Sequence, residues 1–332
     1  MKRIAIIGAG SWGTALAVMA ARAGHDVQLW SRNSDLITSI NQQHVNPRYL
    51  TSVQIPVTVF ATGDLAAALN DAEHVLFAAP SHAARELLTA IAPHLPETAI
   101  IVNVAKGIEI ETGKRISEIA KEVAGANQPY VCLSGPSFAK EVVAGHPTAI
   151  VAASKDAVAA RAVQNDLSFD NLRIYTNADV IGTELGGSVK NVMAIAAGMA
   201  AGLGFGTNSV AALITRGLAE ITRLARREGA QVETLTGLAG LGDLVLTCTG
   251  TLSRNRFVGQ ELGKGRRLEE ISAELQEVAE GINTARAVKK LADRAVLEMP
   301  IVNEVNAVLY EGRSARDAVA ELMSRPLREE VS

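Results

Sequence analysis

Short, largely apolar runs recur through the first half of the chain, at residues 4–7, 27–30, 75–79, 100–104 and 130–133, the first of them wholly apolar. Runs of that length without polar alternation predict strands buried on both faces, as in the middle of a parallel sheet. Helical segments lie between them, and the alternation predicts a doubly wound α/β sheet. From about residue 180 the strand signal fades. Apolar residues then return at helical spacing over 183–202, 208–228, 253–263, 267–275, 281–297, 301–310 and 314–323. The pattern divides the chain into an α/β domain, 1–180, and an all-α domain, 181–332, with no low-complexity linker between them. A cleft where two such halves pack is the natural active site.

Gly8, Gly10 and Gly13 follow the first apolar run at once, and a helix is predicted over 14–23, ending before Gly24. Glycines between a strand and a helix serve a tight turn, close approach of a pyrophosphate and close helix–strand packing, with the helix N-terminus facing the phosphates. This makes the first domain Rossmann-like and dinucleotide-binding. Trp12 either packs on the cofactor or fills the core. The second strand ends in Ser31 and Arg32, where an acidic residue would suit the ribose hydroxyls of NAD. Arg32 suits a 2′-phosphate instead, which favours NADPH without excluding NADH; the plainer reading is an arginine on a solvated loop.

The loops after the later strands carry Pro80, Ser81 and His82, then Lys106 and Gly107, then Ser134 to Ser137. In such sheets these loops face the ligands. His82 reads either as a catalytic histidine or as a hydrogen-bonding loop residue. Lys106 suits an anion, or holds a neighbouring lysine deprotonated. In the helical half, Lys190 is the only basic residue between Arg173 and Arg216, among small apolar neighbours. Desolvation there would lower its pKa from about 10.4 toward the range of a general base; alternatively it snorkels to water. Asp243 ends a glycine-rich stretch as a functional carboxylate or a cap. Ser253, Arg254 and Asn255 open a helix as a phosphate site or an ordinary capped start.

Composition narrows the field. The chain has 332 residues, 48% hydrophobic and 20% charged, with a formal charge of −3 and no basic run, which argues against nucleic-acid binding. Cys132 and Cys248 lack paired spacing and read as buried thiols, and the six histidines show no metal-ligand spacing, so no metal is expected. Met1 to Arg3 before an apolar run imitates a secretory signal, but the glycines interrupt it. Residues 191–215 carry no charge, yet glycines and polar residues at 202–209 break the run, so no membrane span is expected and a cytoplasmic protein is. That stretch buries itself either within a monomer or in a homodimer interface.

Taken together, Gly8 to Gly13, Lys106 and Gly107, Ser134 to Glu141, Leu185 to Asn191, Gly237 to Thr249, Ser253 to Asn255, and Glu280 with Gly281 resemble the bacterial soluble NAD(P)-dependent glycerol-3-phosphate dehydrogenases over nearly the whole chain. The resemblance implies cofactor contacts from Ser11, Trp12, Arg32, Lys106, Ala139, Arg254, Val278 and Glu280. It implies substrate contacts from Lys106, Gly135, Ser137, Lys190, Asp243, Ser253, Arg254 and Asn255, with Lys190 as proton acceptor. The implied reaction is reversible hydride transfer between NADPH or NADH and dihydroxyacetone phosphate, giving sn-glycerol 3-phosphate for glycerophospholipid synthesis. Two other readings stand beside it. One is a dehydrogenase of another phosphorylated hydroxy substrate; the other is a non-catalytic NAD(P)H-binding redox sensor, which would have no use for the isolated lysine.

Overall fold

The structure is a computed structural model that describes residues 1–275, 279–327 and 329–330. Eight strands form one sheet: β1 (Arg3–Ile7), β2 (Asp26–Trp30), β3 (Val59–Thr62), β4 (His74–Phe77), β5 (Ile100–Asn103), β6 (Tyr130–Ser134), β7 (Thr148–Ala153) and β8 (Leu172–Asn177). Their order is β3-β2-β1-β4-β5-β6-β7-β8. The sheet is flanked by α1 (Ser11–Arg22), α2 (Ser34–Gln43), α3 (Leu65–Leu69), α4 (Ala84–Ile91), α5 (Ile116–Ala124), α6 (Ala139–Val143) and α7 (Ala157–Leu167). Ile4 to Ile7 are fully buried, as a central strand covered on both faces requires. Ile7 pairs with both Trp30 and Phe77, and Phe77 with Asn103. The loops after β1, β2, β4 and β5 therefore leave the sheet at one level, which makes a shared rim for ligands.

The five apolar runs are strands, but β3, β7 and β8 were not predicted. The reasons are local. β8 alternates buried and exposed residues, with Arg173 and Tyr175 outward, so it lacks the continuous run of a central strand. β7 is half alanine and reads as readily as helix. The sheet also departs from an all-parallel design, because β6 and β7 pair antiparallel while β7 and β8 are parallel. At about 1.5 Å per residue a helix as short as α6 covers ~8 Å, half the length of β6, so the chain turns back instead of crossing over.

The second half is helical: α8 (Val180–Gly202), α9 (Thr207–Arg227), α10 (Val232–Thr236), a π-helical turn over Leu238–Gly242, α11 (Asp243–Thr249), α12 (Arg254–Gly263), α13 (Leu268–Glu274), α14 (Glu280–Ala295), α15 (Pro300–Tyr310) and α16 (Ala315–Ser324). The expected boundary at 180/181 falls in the first turn of α8. This helix is mostly small and apolar, with Glu184 and Lys190 its only charges, and is buried from Gly182 to Ala200, so the first part of the uncharged stretch packs within the chain.

Close packing of α8 on α12 depends on glycine. A Cβ on Gly198 would lie 2.1 Å from the carbonyl of Arg256, and one on Gly259 would lie 2.0 Å from that of Ile195. Gly202 and Gly263 repeat the relation one turn further on, against Gln260 and Met199. Four glycines cost helix propensity, at ~1 kcal/mol each relative to alanine. They let the two backbones touch, which brings the start of α12 beside the middle of α8.

Candidate functional site

A cleft of about 630 Å³ runs between the halves, from the glycine loop to the start of α12. At its nucleotide end Gly8 holds a φ of +119°, and a Cβ there would lie 2.9 Å from the backbone of Ala78. Gly13 lies behind the loop, where a Cβ would meet the Gly8 carbonyl at 1.9 Å. Gly10 opens on empty space and is the N-cap of α1, which starts at Ser11, three residues earlier than predicted, with no side chain capping the first turn. Its N–H donors therefore face the cleft. The buried Asn46 amide braces the loop by donating to the Ala9 carbonyl at 3.0 Å and to Thr14 Oγ1 at 2.8 Å.

Ser11, Trp12 and Arg32 line this end together with Asn33, Arg48 and Tyr49. The Ser11 hydroxyl donates to the Tyr49 carbonyl at 3.0 Å. Arg32 Nη2 lies 2.8 Å from Glu86 Oε1 and the guanidinium sits 5.8 Å from the Trp30 ring centre, so this cation is engaged yet more than half exposed. Ala139 begins α6 and packs against the sheet core, off the cleft lining. Val278 lies outside the described residues. His82 is exposed at the cleft wall.

Charged side chains from distant segments meet at the other end. Asp243 is 1% exposed, and its Oδ1 accepts from Lys190 Nζ at 2.5 Å while Oδ2 accepts from Lys106 Nζ at 2.6 Å. Lys190 also donates to Thr247 Oγ1 at 2.6 Å, and that hydroxyl in turn donates a hydrogen bond to the Asp243 backbone carbonyl at 2.7 Å. Lys106 donates further to the Gly135 carbonyl at 3.0 Å, which the Ser137 hydroxyl also reaches. Gly135 holds a φ of +144° with Ile150 2.9 Å from any Cβ, so only glycine fits there. Lys190 does not snorkel. Burial pushes its ammonium down to about 8; Asp243 opposes that shift and the Lys106 charge adds to it. Burial likewise drives the neighbouring Cys248 thiol up to about 12, so it stays protonated.

Lys106, Lys190, Asn191 and Thr247 reach the cleft surface, whereas Asp243 and Gly135 support them from behind. Ser253 caps α12 by accepting from the Arg256 N–H at 3.2 Å, and Arg254 lines the cleft beside it. Asn255 is oriented by a backbone donor. Its Oδ1 accepts the Gly281 N–H at 2.9 Å, so its amide nitrogen donates to Asn191 Oδ1 at 3.0 Å. Glu280, at the start of α14, closes the cleft against the nucleotide half: its carboxylate accepts from Ser81 N at 3.2 Å and Ser81 Oγ at 2.5 Å. Burial raises its pKa, and the Ser81 bonds oppose that rise.

The sequence reading did not single out Thr247, Asn191, Arg48 or Asn33 as site residues. Thr247 had a signal, since it stands one helical turn after Asp243 on the same face. Arg48 and Asn33 lie in loops whose course only the fold defines. Among the described residues no group of three or more His, Cys, Asp or Glu side chains is arranged to hold a metal ion.

Comparison with known proteins bears on both ends of the cleft. Models of the NAD-dependent glycerol-3-phosphate dehydrogenase N-terminus and C-terminus match residues 3–160 and 179–320. A glycerol-3-phosphate dehydrogenase (NAD(P)+) of Koribacter versatilis is 52% identical over 335 residues, covering 100% of this chain and 99% of that protein. One of Myxococcus xanthus is 50% identical over 333 residues, covering 99% of each. The crystal structure of glycerol-3-phosphate dehydrogenase from Coxiella burnetii superposes with a TM-score of 0.94 at 42% identity, over 98% of this chain and 99% of that one.

Proposed function

The chain belongs to the NAD-dependent glycerol-3-phosphate dehydrogenase family, and on that premise we propose that its cleft interconverts dihydroxyacetone phosphate and sn-glycerol 3-phosphate, with Lys190 as proton donor and acceptor. The observation that carries this reading is the buried Lys190–Asp243–Lys106 cluster beside a glycine-lined nucleotide cradle.

The cradle fits a dinucleotide, because an uncapped helix start and a glycine with no neighbour within 4 Å leave donors and space for a pyrophosphate. When bound, the nicotinamide supplies or takes up the hydride exchanged with C2 of the substrate. Ser11, Trp12, Gly10 and Arg32 would hold its phosphates and adenosine end, and Glu280 would face it from the helical half. Ser253, Arg254 and Asn255 would anchor the substrate phosphate, using the α12 N-terminus and a guanidinium.

In reduction the substrate carbonyl oxygen gains negative charge. The Lys190 ammonium stabilises that charge and delivers the proton, while Lys106 adds a second cation. In oxidation neutral Lys190 takes the hydroxyl proton, and Thr247 and Asp243 keep its amine aimed at the cleft. A buried lysine near 8 serves both directions, since neither protonation state is rare at neutral to mildly alkaline pH.

Within this reading 1–180 is the cofactor half and 181–332 the substrate and catalytic half. We take the enzyme to work in the cytoplasm for glycerophospholipid synthesis; no helix among the described residues is long and apolar enough to cross a membrane. We also propose a homodimer, on the strength of the uncharged start of α9, where Val210, Leu213 and Ile214 stay partly exposed; light scattering of the purified protein tests it. The decisive assay follows nicotinamide absorbance with dihydroxyacetone phosphate, run with NADPH and NADH in parallel and with 6-phosphogluconate as the competing substrate class. Turnover of the triose phosphate is expected with at least one cofactor. Turnover of 6-phosphogluconate alone would replace this reading with that of a different phosphorylated substrate.

A further inference from the structure

Glu184 lies on α8 about one and a half turns before Lys190, takes no part in the chemistry above, and is 6% exposed. Four donors surround its carboxylate, all from the nucleotide half. Oε1 accepts from the Ser117 N–H at 2.8 Å and from the Tyr130 hydroxyl at 2.7 Å. Oε2 accepts from Arg115 Nη1 at 3.0 Å and from the Ser117 hydroxyl at 2.5 Å. The donors belong to the start of α5 and the first residue of β6. Burial and then the Glu184 charge raise the Tyr130 phenol, which keeps its proton available for the bond.

A buried carboxylate with this donor set is costly to desolvate and gains little net stability over an apolar contact. What it supplies is direction. Residues 184 and 187 share one face of α8, and that face lies on β6 and the loop after β5. A Cβ on Gly187 would sit 2.6 Å from Ser134 Oγ and 3.6 Å from the Lys106 side chain. Glu184 holds one end of this contact by hydrogen bonds, and Gly187 lets α8 settle at the other. Lys190 projects from the flank of the same face toward Asp243 and Thr247. A rotation of α8 by roughly 10° would carry a side-chain tip ~6 Å from the axis through about 1 Å, enough to break bonds of 2.5 and 2.6 Å.

We propose that Glu184 is a positioning residue for the dehydrogenase reaction: its four hydrogen bonds to Arg115, Ser117 and Tyr130 fix the rotation and seating of α8 on the nucleotide half, and so fix Lys190 against Asp243 and Lys106. The proposal rests on the reading of Lys190 as the proton donor and acceptor. Lys190→Ala tests that reading by itself: if turnover persists there, the base assignment fails, whatever Glu184 does.

The test of Glu184 measures kcat, KM, the pH midpoint of kcat, NADPH binding by fluorescence and the thermal midpoint. It compares the parent enzyme with Glu184→Gln, Tyr130→Phe and Ser117→Ala. For Glu184→Gln, kcat is expected to fall about 10²-fold with the pH midpoint displaced and NADPH affinity unchanged. Tyr130→Phe and Ser117→Ala each remove one donor without changing charge, so a smaller displacement of the same midpoint in them is positional and not electrostatic. If Glu184→Gln does not fold, these two variants carry the test. A lowered thermal midpoint with kcat and the pH midpoint unmoved would overturn the proposal and leave Glu184 a structural joint only.

Discussion

The two ends of the cleft are built in opposite ways. The nucleotide end is mainly backbone: a strand, three glycines and a helix start contiguous in sequence, shaped by what glycine lacks. The reaction end is side chains: Lys106 after β5, Lys190 in the middle of α8, Asp243 and Thr247 on α11, and the start of α12, converging from segments far apart in the chain. Backbone donors need only a local turn, whereas a tuned ammonium needs burial, a counter-charge and a second cation from separate elements. The first kind of site travels as a motif. The second exists only in the folded chain.

Separate damage to the two ends sharpens this contrast. Removing the ammonium should have the largest effect: Lys190→Ala is expected to lower turnover roughly 10²- to 10⁴-fold while NADPH fluorescence still reports binding. In the parent enzyme, oxidation should rise as pH passes about 8 and reduction should fall over the same range, because the neutral amine is the base and the ammonium the acid. A flat profile would detach Lys190 from proton transfer.

Asp243→Asn should come next. It leaves two adjacent lysines without their carboxylate and is expected to cost about 3–5 kcal/mol in denaturant unfolding at neutral pH. Lys190 would then titrate lower still. Between that value and the parent's 8 the variant's unfolded chain binds more protons than its folded one while the parent's Lys190 is protonated in both states, so the loss should shrink as pH rises toward 8 and level off above it. Equal unfolding midpoints for variant and parent would mean that the ion cluster contributes nothing net.

The seam that carries the reaction end offers a milder break. Gly259→Ala puts a methyl 2.0 Å from the Ile195 carbonyl, and overpacking of that kind costs about 1–3 kcal/mol. It should also raise KM for the substrate more than KM for the cofactor, since it moves α12 and leaves α1 alone. The reverse order of the two KM effects would count against α12 as the phosphate anchor. Arg32→Ala should be the smallest change: about a tenfold rise in KM for NADPH, at the low end for a hydrogen bond to a charged group, with KM for NADH unmoved. Glu86 already engages this guanidinium, which limits what it can give a 2′-phosphate. Equal effects on both cofactors would return Arg32 to an ordinary loop arginine.

Much of the molecule was legible because its cause is local. The buried runs and the glycine loop declare a central strand and a phosphate turn by side-chain pattern alone, and α8, α9 and α12 lie within a few residues of their periodic segments. What escaped was whatever depends on a neighbour. β8 is a strand by virtue of β7, and the glycines of α8 and α12 become a seam only when the helices meet. Asn191 and Thr247 gain their roles from partners 64 and 57 residues away in the chain.

Lys190 shows the division most clearly. By itself the sequence determined that an isolated ammonium stands in an apolar helix, with a nucleotide loop upstream and a capped basic helix start downstream. Only the tertiary structure decided between snorkelling and burial, because burial is set by how closely α11 and α12 pack on α8. It also supplied Asp243 and Lys106 on the far side of the ammonium, and a charge is tuned by what surrounds it in space, which the order of residues along a chain does not state.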